Sequence, residues 1–357
     1  MTDTGEPCIL YGELYTKYKS EIISDIFSKT DIDTRKLVKS KANDVIIPCS
    51  GETAVDIATA RCVPYDNILL GGDLNIIRLY DCDGSFMSYQ LNGKRKYDIA
   101  KVAQGVSVVH LYGDHLKGVK TYNPCLEEQK KIVRLLSLLD ERIATQNKII
   151  EDLKKLKCAI IEKHYRQAKL HKYKICDLGV LFSVGSLSKE DLSEEGYECI
   201  LYGELFTTYG CVINEVKSHT NKIANTTLSQ KGDLLFPSST TVDAVSLISP
   251  SVIDIPNVIL GGDMFGIHID KKFNAYYLSY YINLIARKKL AIYAKGSTII
   301  HLHYKDIAKA QLLLPDLCEQ DKNAKCMMAE DAKIKVEEQL LTILEKQKQY
   351  LLRQMFI

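Results

Sequence analysis

At 357 residues, 46% of them hydrophobic and 26% charged, the chain can bury two ordinary cores and has the make-up of a globular protein. A formal net charge of +2 supplies no global field for a polyanion, so a nucleic-acid partner would have to be met by local clusters. The eleven cysteines form no CxxC pair and no zinc-spaced Cys/His group, and no apolar run reaches the roughly 18–20 residues of a bilayer span, so neither metal, disulfide scaffold nor membrane insertion is expected. Scattered thiols and an N-terminus without a basic-then-apolar leader point to the cytoplasm.

The first element in chain order is CILYGEL at Cys8–Leu14. Next come ANDVIIPCSGETAV and YDNILLGGDLNIIRLY, short Val/Ile/Leu runs between turn residues, which predict strands joined by polar loops. A basic run, Lys94-Arg95-Lys96, then precedes GVSVVHL, and Pro124 closes a mixed, mainly β domain over residues 1–124. From Leu126 to Gln167 there is neither Gly nor Pro, and Leu, Ile, Lys, Glu and Gln dominate, which predicts a helical spacer over 125–168. Ile132, Leu136, Leu139, Ile143, Ile150, Leu153 and Ile160 fall on alternating three- and four-residue steps interrupted by Gln146, the pattern of a helix packed along another helix.

A second domain is expected over 169–315, in which CILYGEL returns at Cys199–Leu205, followed by KGDLLFPSSTTVDAV, IPNVILGGDMFGIHI and a helical stretch over Tyr276–Tyr293. A second spacer follows over 316–357, with Ile334, Leu341, Leu344, Leu351 and Leu352 on its stripe and a weaker heptad at CEQDKNAKCMMAEDAK.

The copies are in register throughout. Ser88, Asn92, Gly105, His110 and Pro124 recur as Ser279, Asn283, Gly296, His301 and Pro315, each 191 positions on, while Asn67, Gly71, Gly72 and Asp73 recur 190 on, after a small indel near Pro48 and Pro237. So long a period is that of a duplicated domain and not of a solenoid. The fold class is therefore α+β: two mixed, mainly β domains separated by two long helices in a pseudo-two-fold tandem repeat. If the helices pair antiparallel, the domains stand at opposite ends of a spacer, rotated by half a turn. A long amphipathic helix is also a common core or dimer element.

No catalytic set is visible: there is no phosphate-binding loop, dinucleotide fingerprint, nucleophile elbow, HExxH helix or Asn/Asp-Pro-Pro-aromatic motif. Asp73 and Asp263 follow paired glycines and read as turn residues. Nucleic-acid contact has diffuse support. Lys94, Arg95, Lys96 and Arg287, Lys288, Lys289 stand at nearly matching places before Gly105 and Gly296 and could neutralise phosphates, although solvated helix faces look alike. The loops at Pro48–Asp56 (Ser50, Glu52, Thr53) and Pro237–Asp243 (Ser238, Ser239, Thr240, Thr241) carry side chains able to read base edges. His110, Tyr112, Ser297, His301 and His303 complete the candidate contacts, with a structural role as the plainer alternative.

At these residues the chain resembles the DNA-specificity subunit of type I restriction-modification systems. The likeness is carried by NPCLEEQKKIVRLLSLLDERIATQNKIIEDLKKL (Asn123–Leu156), by LEKQKQYLLRQMF (Leu344–Phe356), and by LLGGDL and G-x-S-x-x-H-L. The resemblance implies a non-catalytic protein that needs no cofactor. Each target-recognition domain would bind one half of a split double-stranded DNA target, and antiparallel helices would fix the gap and dock two adenine methyltransferase subunits, with motor-nuclease subunits joining the complex. A fused, type IIB-like restriction-methylation enzyme would share every motif, and a non-DNA coiled-coil scaffold is the reading from a different class. One departure stands out: KYKICDLGVLFSVGSLSKEDLSEEGYE precedes the second CILYGEL, whereas only MTDTGEP precedes the first, so the first domain is expected to be shortened by about twenty residues there.

Overall fold

The structure, a computed structural model, describes residues 4–33 and 37–356. They divide into two compact units, Met1–Ile149 with Glu337–Ile357 and Ile150–Val336. The division runs through both long helices, so each unit owns half of each.

The helices span Leu126–Gln167 and Leu317–Gln354 without a break. Glu127 and Glu128 in the first turn and His164 and Arg166 in the last complement the dipole of the first helix. The second is capped by Asp316, whose carboxylate accepts the Glu319 amide at 3.0 Å. In the first unit the halves run antiparallel: Asp140 meets Lys348, and six residues later Gln146 meets Glu337. The second unit repeats this, Lys157 meeting Asp331 and His164 meeting Asn323. Leu136, Ile150, Leu153, Ile334 and Leu344 are buried, and Ile132, Leu139, Ile143, Ile160, Leu341 and Leu351 are half-buried.

In the first unit the fully buried strand Asp44–Pro48 pairs antiparallel with Arg61–Val63 on one side and Leu74–Ile77 on the other. Beside it lies a four-stranded sheet in which the first CILYGEL strand, Glu6–Ile9, runs parallel to Leu69–Leu70. The second unit has the same frame, with Asp233–Pro237 between Ser251–Ile253 and Met264–Ile269, and Tyr197–Leu201 parallel to Ile259–Gly261. It also has strands the first unit lacks among the described residues: Gly179–Ser183 extends the sheet beyond Met264–Ile269, Leu192–Ser193 adds an edge to the other sheet, and His171–Lys174 pairs with Gln311–Leu314.

The stretch over Tyr276–Tyr293 is helical, with a π-turn at Ile282–Ala286 between α segments. Its counterpart in the first unit breaks at Gly93 into Gly84–Asn92 and Lys96–Val102. A Cβ on Gly93 would lie 2.5 Å from the Leu352 carbonyl oxygen, so the C-terminal helix packs that closely only because the side chain is missing.

Candidate nucleic-acid interface

In the first unit the polar loop after Pro48 and the GVSVVHL segment meet. Ser50–Gly51 pairs antiparallel with Val109–His110, with Ser50 opposite His110. The Leu111 amide donates to the Cys49 carbonyl at 2.8 Å, and Gln104 and His110 exchange main-chain bonds at 2.9 and 2.7 Å, closing a tight loop over Gly105–Val108. Gly105 sits at φ +129°, where a Cβ would stand 2.1 Å from the Val108 carbonyl oxygen, so no side chain is tolerated. The loop thrusts Val106 into solvent, 98% exposed. The His110 and Tyr112 rings stack with interplanar angle 2° and centroids 5.9 Å apart.

The second unit builds the same platform from different side chains. Ser239 lies opposite His301, Leu302 donates to the Ser238 carbonyl at 2.8 Å, and Lys295 and His301 close the loop at 2.9 and 2.7 Å. Gly296 has φ +130°, with a Cβ position 2.0 Å from the Ile299 carbonyl oxygen, and His301 stacks on His303 at 5.9 Å and 6°.

The Gly-Gly-Asp turns hold both platforms. The Asp73 carbonyl accepts the Cys49 amide and the Asp263 carbonyl the Ser238 amide, each at 2.8 Å. Asp73 adopts φ +66°, as a turn residue does, and its carboxylate accepts the Ser50 hydroxyl. Ser50, Ser238 and Ser239 are buried in this framework, while Glu52, Thr53, Thr241, Ser297, Tyr112 and His303 are exposed on it. Thr53 caps the short helix Ala54–Ile57 by accepting the Asp56 amide, and Asp243 does the same for Ser246. Bonds from the Ser246 hydroxyl and amide hold the Asp243 carboxyl below its ordinary pKa. Thr240 accepts the Val242 amide at 3.2 Å.

The basic residues divide by role. Arg287 spends its guanidinium on the carbonyls of Val245 and Ser246, at 2.7 and 3.1 Å, and so pins the helix that ends the Pro237–Asp243 loop. Lys96 is half-buried, with Nζ 3.5 Å from Thr59 Oγ1, and burial beside Arg61 pushes its pKa down. Arg95 lies 3.6 Å from Asp98. Lys94, Lys288 and Lys289 are exposed.

The sequence reading missed two features. Exposed apolar side chains stand beside the polar ones: Val106, Val108 and Val55 in the first unit, and Val242 and Ile299 in the second. The other is a buried latch. Lys348 Nζ lies 2.5 Å from both Asp140 and Glu21, and the Tyr89 hydroxyl donates to Asp140 at 2.7 Å. In the second unit Lys157 lies 2.5 Å from Asp331, and Tyr280 donates to Asp331 at 2.6 Å. All three residue types recur at the 191-residue offset, with lysine and aspartate exchanged between helices, and this repetition was the signal available in the sequence. A smaller matched pair accompanies it: Gln129 and Gln320 accept the amides of Asp83 and Asn274 at 2.8 and 2.9 Å and donate to Pro124 and Pro315.

On the helix faces turned away from the seam, Leu135, Leu138, Ile149, Ile343 and Tyr350 of the first unit are exposed, as are Leu156, Met328 and Val336 of the second. Among the described residues no group of three or more His, Cys, Asp or Glu is placed to hold a metal ion, and no helix is long and apolar enough to cross a membrane.

Comparison with known proteins agrees with this architecture. The chain is 28% identical over 155 residues to the type I restriction enzyme MjaVIII specificity subunit of Methanocaldococcus jannaschii, covering 43% of this chain and 34% of that protein. The match thus spans about a third of the relative's length. The fold is similar to the crystal structure of a type I restriction-modification S subunit from M. genitalium, with TM-score 0.60 and 18% identity over 99% of this chain and 92% of that one. It is also similar to a chain from a study of complex assembly and conformational transition in the type I system, with TM-score 0.57 and 15% identity over 88% and 81% of the two chains. The family model described as the type I restriction modification DNA specificity domain matches residues 167–346, just over half of the chain, and the protein accordingly belongs to that family.

Proposed function

We propose that this chain is the DNA-reading subunit of a type I restriction-modification assembly, each unit binding one half of a split duplex target. The carrying observation is that both units present the same loop-and-hairpin platform with different side chains on one frame. Tyr112 in one unit stands where His303 does in the other and the helix cap Thr53 where Asp243 does, while Glu52 and Thr241 lie in loops of different length, so the two half-sites differ in sequence. Exposed hydroxyl, imidazole and carboxylate groups suit base edges in a major groove, and the neighbouring valine and isoleucine side chains suit thymine methyl groups. Lys94, Lys288 and Lys289 are the phosphate contacts in this reading.

Recognition is this chain's part and chemistry its partners'. The exposed apolar stripes on the long helices are the docking faces for two adenine methyltransferase subunits, and motor-nuclease subunits join through that complex. Helix length sets the gap between half-sites. Methylation profiling of host DNA carrying this chain with its methyltransferase partner tests the whole reading. A bipartite, asymmetric adenine target with a fixed gap is expected. A continuous target, or binding to a protein ligand that is insensitive to salt, would overturn it.

A further inference from the structure

Beside the helix Ala54–Ile57 the first unit holds a cavity of about 330 Å³, within the range of roughly 300–1,000 Å³ that small-molecule sites occupy. Exposed Lys19, Val55 and Tyr97 form its rim, and Arg61, Lys96 and Lys348 line it more deeply. Arg61 is only 7% exposed. Its Nε donates to the Leu14 carbonyl at 3.1 Å and its Nη2 to the Tyr18 carbonyl at 2.8 Å, which leaves Nη1 without a hydrogen-bond partner among the described residues. Lys96 reaches Thr59 Oγ1 at the long distance of 3.5 Å, and burial together with the Arg61 charge lowers its pKa.

The carboxylates whose charge reaches these two cations are engaged elsewhere. Glu21 and Asp140 both hold Lys348, and Asp56 accepts the Thr53 hydroxyl at 2.6 Å. Buried charge is ordinarily met by a partner. Here a guanidinium edge and an ammonium group share a cavity with positive charge left over.

The matching place in the second unit is built differently. Ser251 stands in the place of Arg61 and donates its hydroxyl to the Gly210 carbonyl at 2.8 Å, while Arg287 stands in the place of Lys96 and is spent on the Val245 and Ser246 carbonyls. Glu21 gives way to Cys211, as the Ser88 and Ser279 hydroxyl bonds to their carbonyls show. The cationic cavity is thus an addition to the shared frame.

We infer that this cavity is a binding site for a nucleoside monophosphate or a phosphate monoester of like size, its phosphate held among Arg61, Lys96 and Thr59 and its organic part against Val55 and Tyr97. A guanidinium fork, an ammonium and a hydroxyl suit a tetrahedral oxyanion, and an aromatic ring offers a base a stacking face. A duplex carries its phosphates on a convex surface and would meet exposed ammonium groups such as Lys94, not a guanidinium this deeply buried.

Calorimetric titration of the full chain with AMP, adenosine and inorganic phosphate tests the site. One AMP per chain is expected, with adenosine and inorganic phosphate each at least tenfold weaker. Lys96→Met should weaken AMP at least tenfold, whereas Lys101→Met, which removes the same charge from an exposed position of the same helix, should change it less than twofold. Should Lys96→Met fail to fold, Thr59→Val should still weaken AMP severalfold. Absence of AMP binding at millimolar concentration, adenosine or inorganic phosphate binding as tightly as AMP, equal effects of the two lysine changes, or displacement of AMP by a duplex with unphosphorylated ends would each overturn the inference.

Discussion

Gln146 donates its side-chain amide to the main-chain carbonyl of Glu337 at 3.1 Å and to its carboxylate at 2.6 Å, and the two residues occupy the same position of the duplicated sequence, 191 apart. A parallel pair in register would bring every position onto its own counterpart, but Asp140 meets Lys348 and not its counterpart Asp331, so the helices run antiparallel and Gln146 meets its counterpart where the order of contacts reverses. The glutamine that interrupts the apolar seam is therefore a register pin. Gln146→Ala should lower stability by about 1–2 kcal/mol, since a buried amide and both of its acceptors lose their bonds. Glu337→Ala should cost less than about 1 kcal/mol, because the main-chain acceptor survives. Urea midpoints of the two variants check the order, and an equal or reversed cost would remove the pinning role.

The latches differ in strength by one carboxylate. Lys348 faces both Glu21 and Asp140, all three largely buried, whereas Lys157 pairs, among the described residues, with the single carboxylate of Asp331, which is 36% exposed. Lys348→Met should therefore cost about 3–5 kcal/mol by stranding buried charge, and Lys157→Met about 1–2 kcal/mol after allowance for solvent screening. Amide exchange resolved by unit would show the larger loosening in the first unit.

The same cluster sets an alkaline limit. Burial works against the Lys348 ammonium, but the Glu21 and Asp140 carboxylates outweigh it and hold the pKa above the ordinary 10.5. Burial, and then Asp140, raise the Tyr89 hydroxyl above its ordinary 10.0. Both are folded-state pKa values raised above the unfolded ones. Their contribution is fully present below about pH 10 and is lost as pH rises through the folded values. Thermal midpoints should fall from about pH 10 upward in the parent, and less steeply in a Lys348→Met, Tyr89→Phe chain.

Basic residues near the platforms should separate by assay. Arg287→Ala should destabilise the second unit by freeing the Val245 and Ser246 carbonyls, with little change in the salt slope of DNA binding. Lys288→Ala and Lys289→Ala should leave stability alone and each flatten that slope by about one. Gly105→Ala and Gly296→Ala force a side chain into positive φ and into a carbonyl oxygen, and each should cost at least tenfold in affinity at one half-site only.

Deleting one heptad from each long helix, at facing positions, removes about 10 Å of helix, roughly three base-pair steps of B-DNA. Methylation profiling of the shortened chain should return the original half-sites with a gap reduced by about that amount. An unchanged gap would refute the link between helix length and spacing.

Much of this was legible in the chain because duplication leaves its trace in identity. CILYGEL, the glycine pairs, the histidines and the helical heptads free of Gly and Pro fixed two like domains, two long helices and the family they resemble, since periodicity and turn chemistry are local properties. Tertiary structure decided which polar residues meet. Ser50 lies opposite His110 across some sixty residues of chain, and Lys348 reaches Glu21 across 327, pairings that depend on strand register and helix direction, which no local pattern encodes. It also decided that Arg287 braces a loop, that Lys96 is half-buried, and that Met264–Ile269 has a strand on each side while Leu74–Ile77, among the described residues, has one. Burial and the competition among neighbours for each hydrogen bond exist only once the chain has folded.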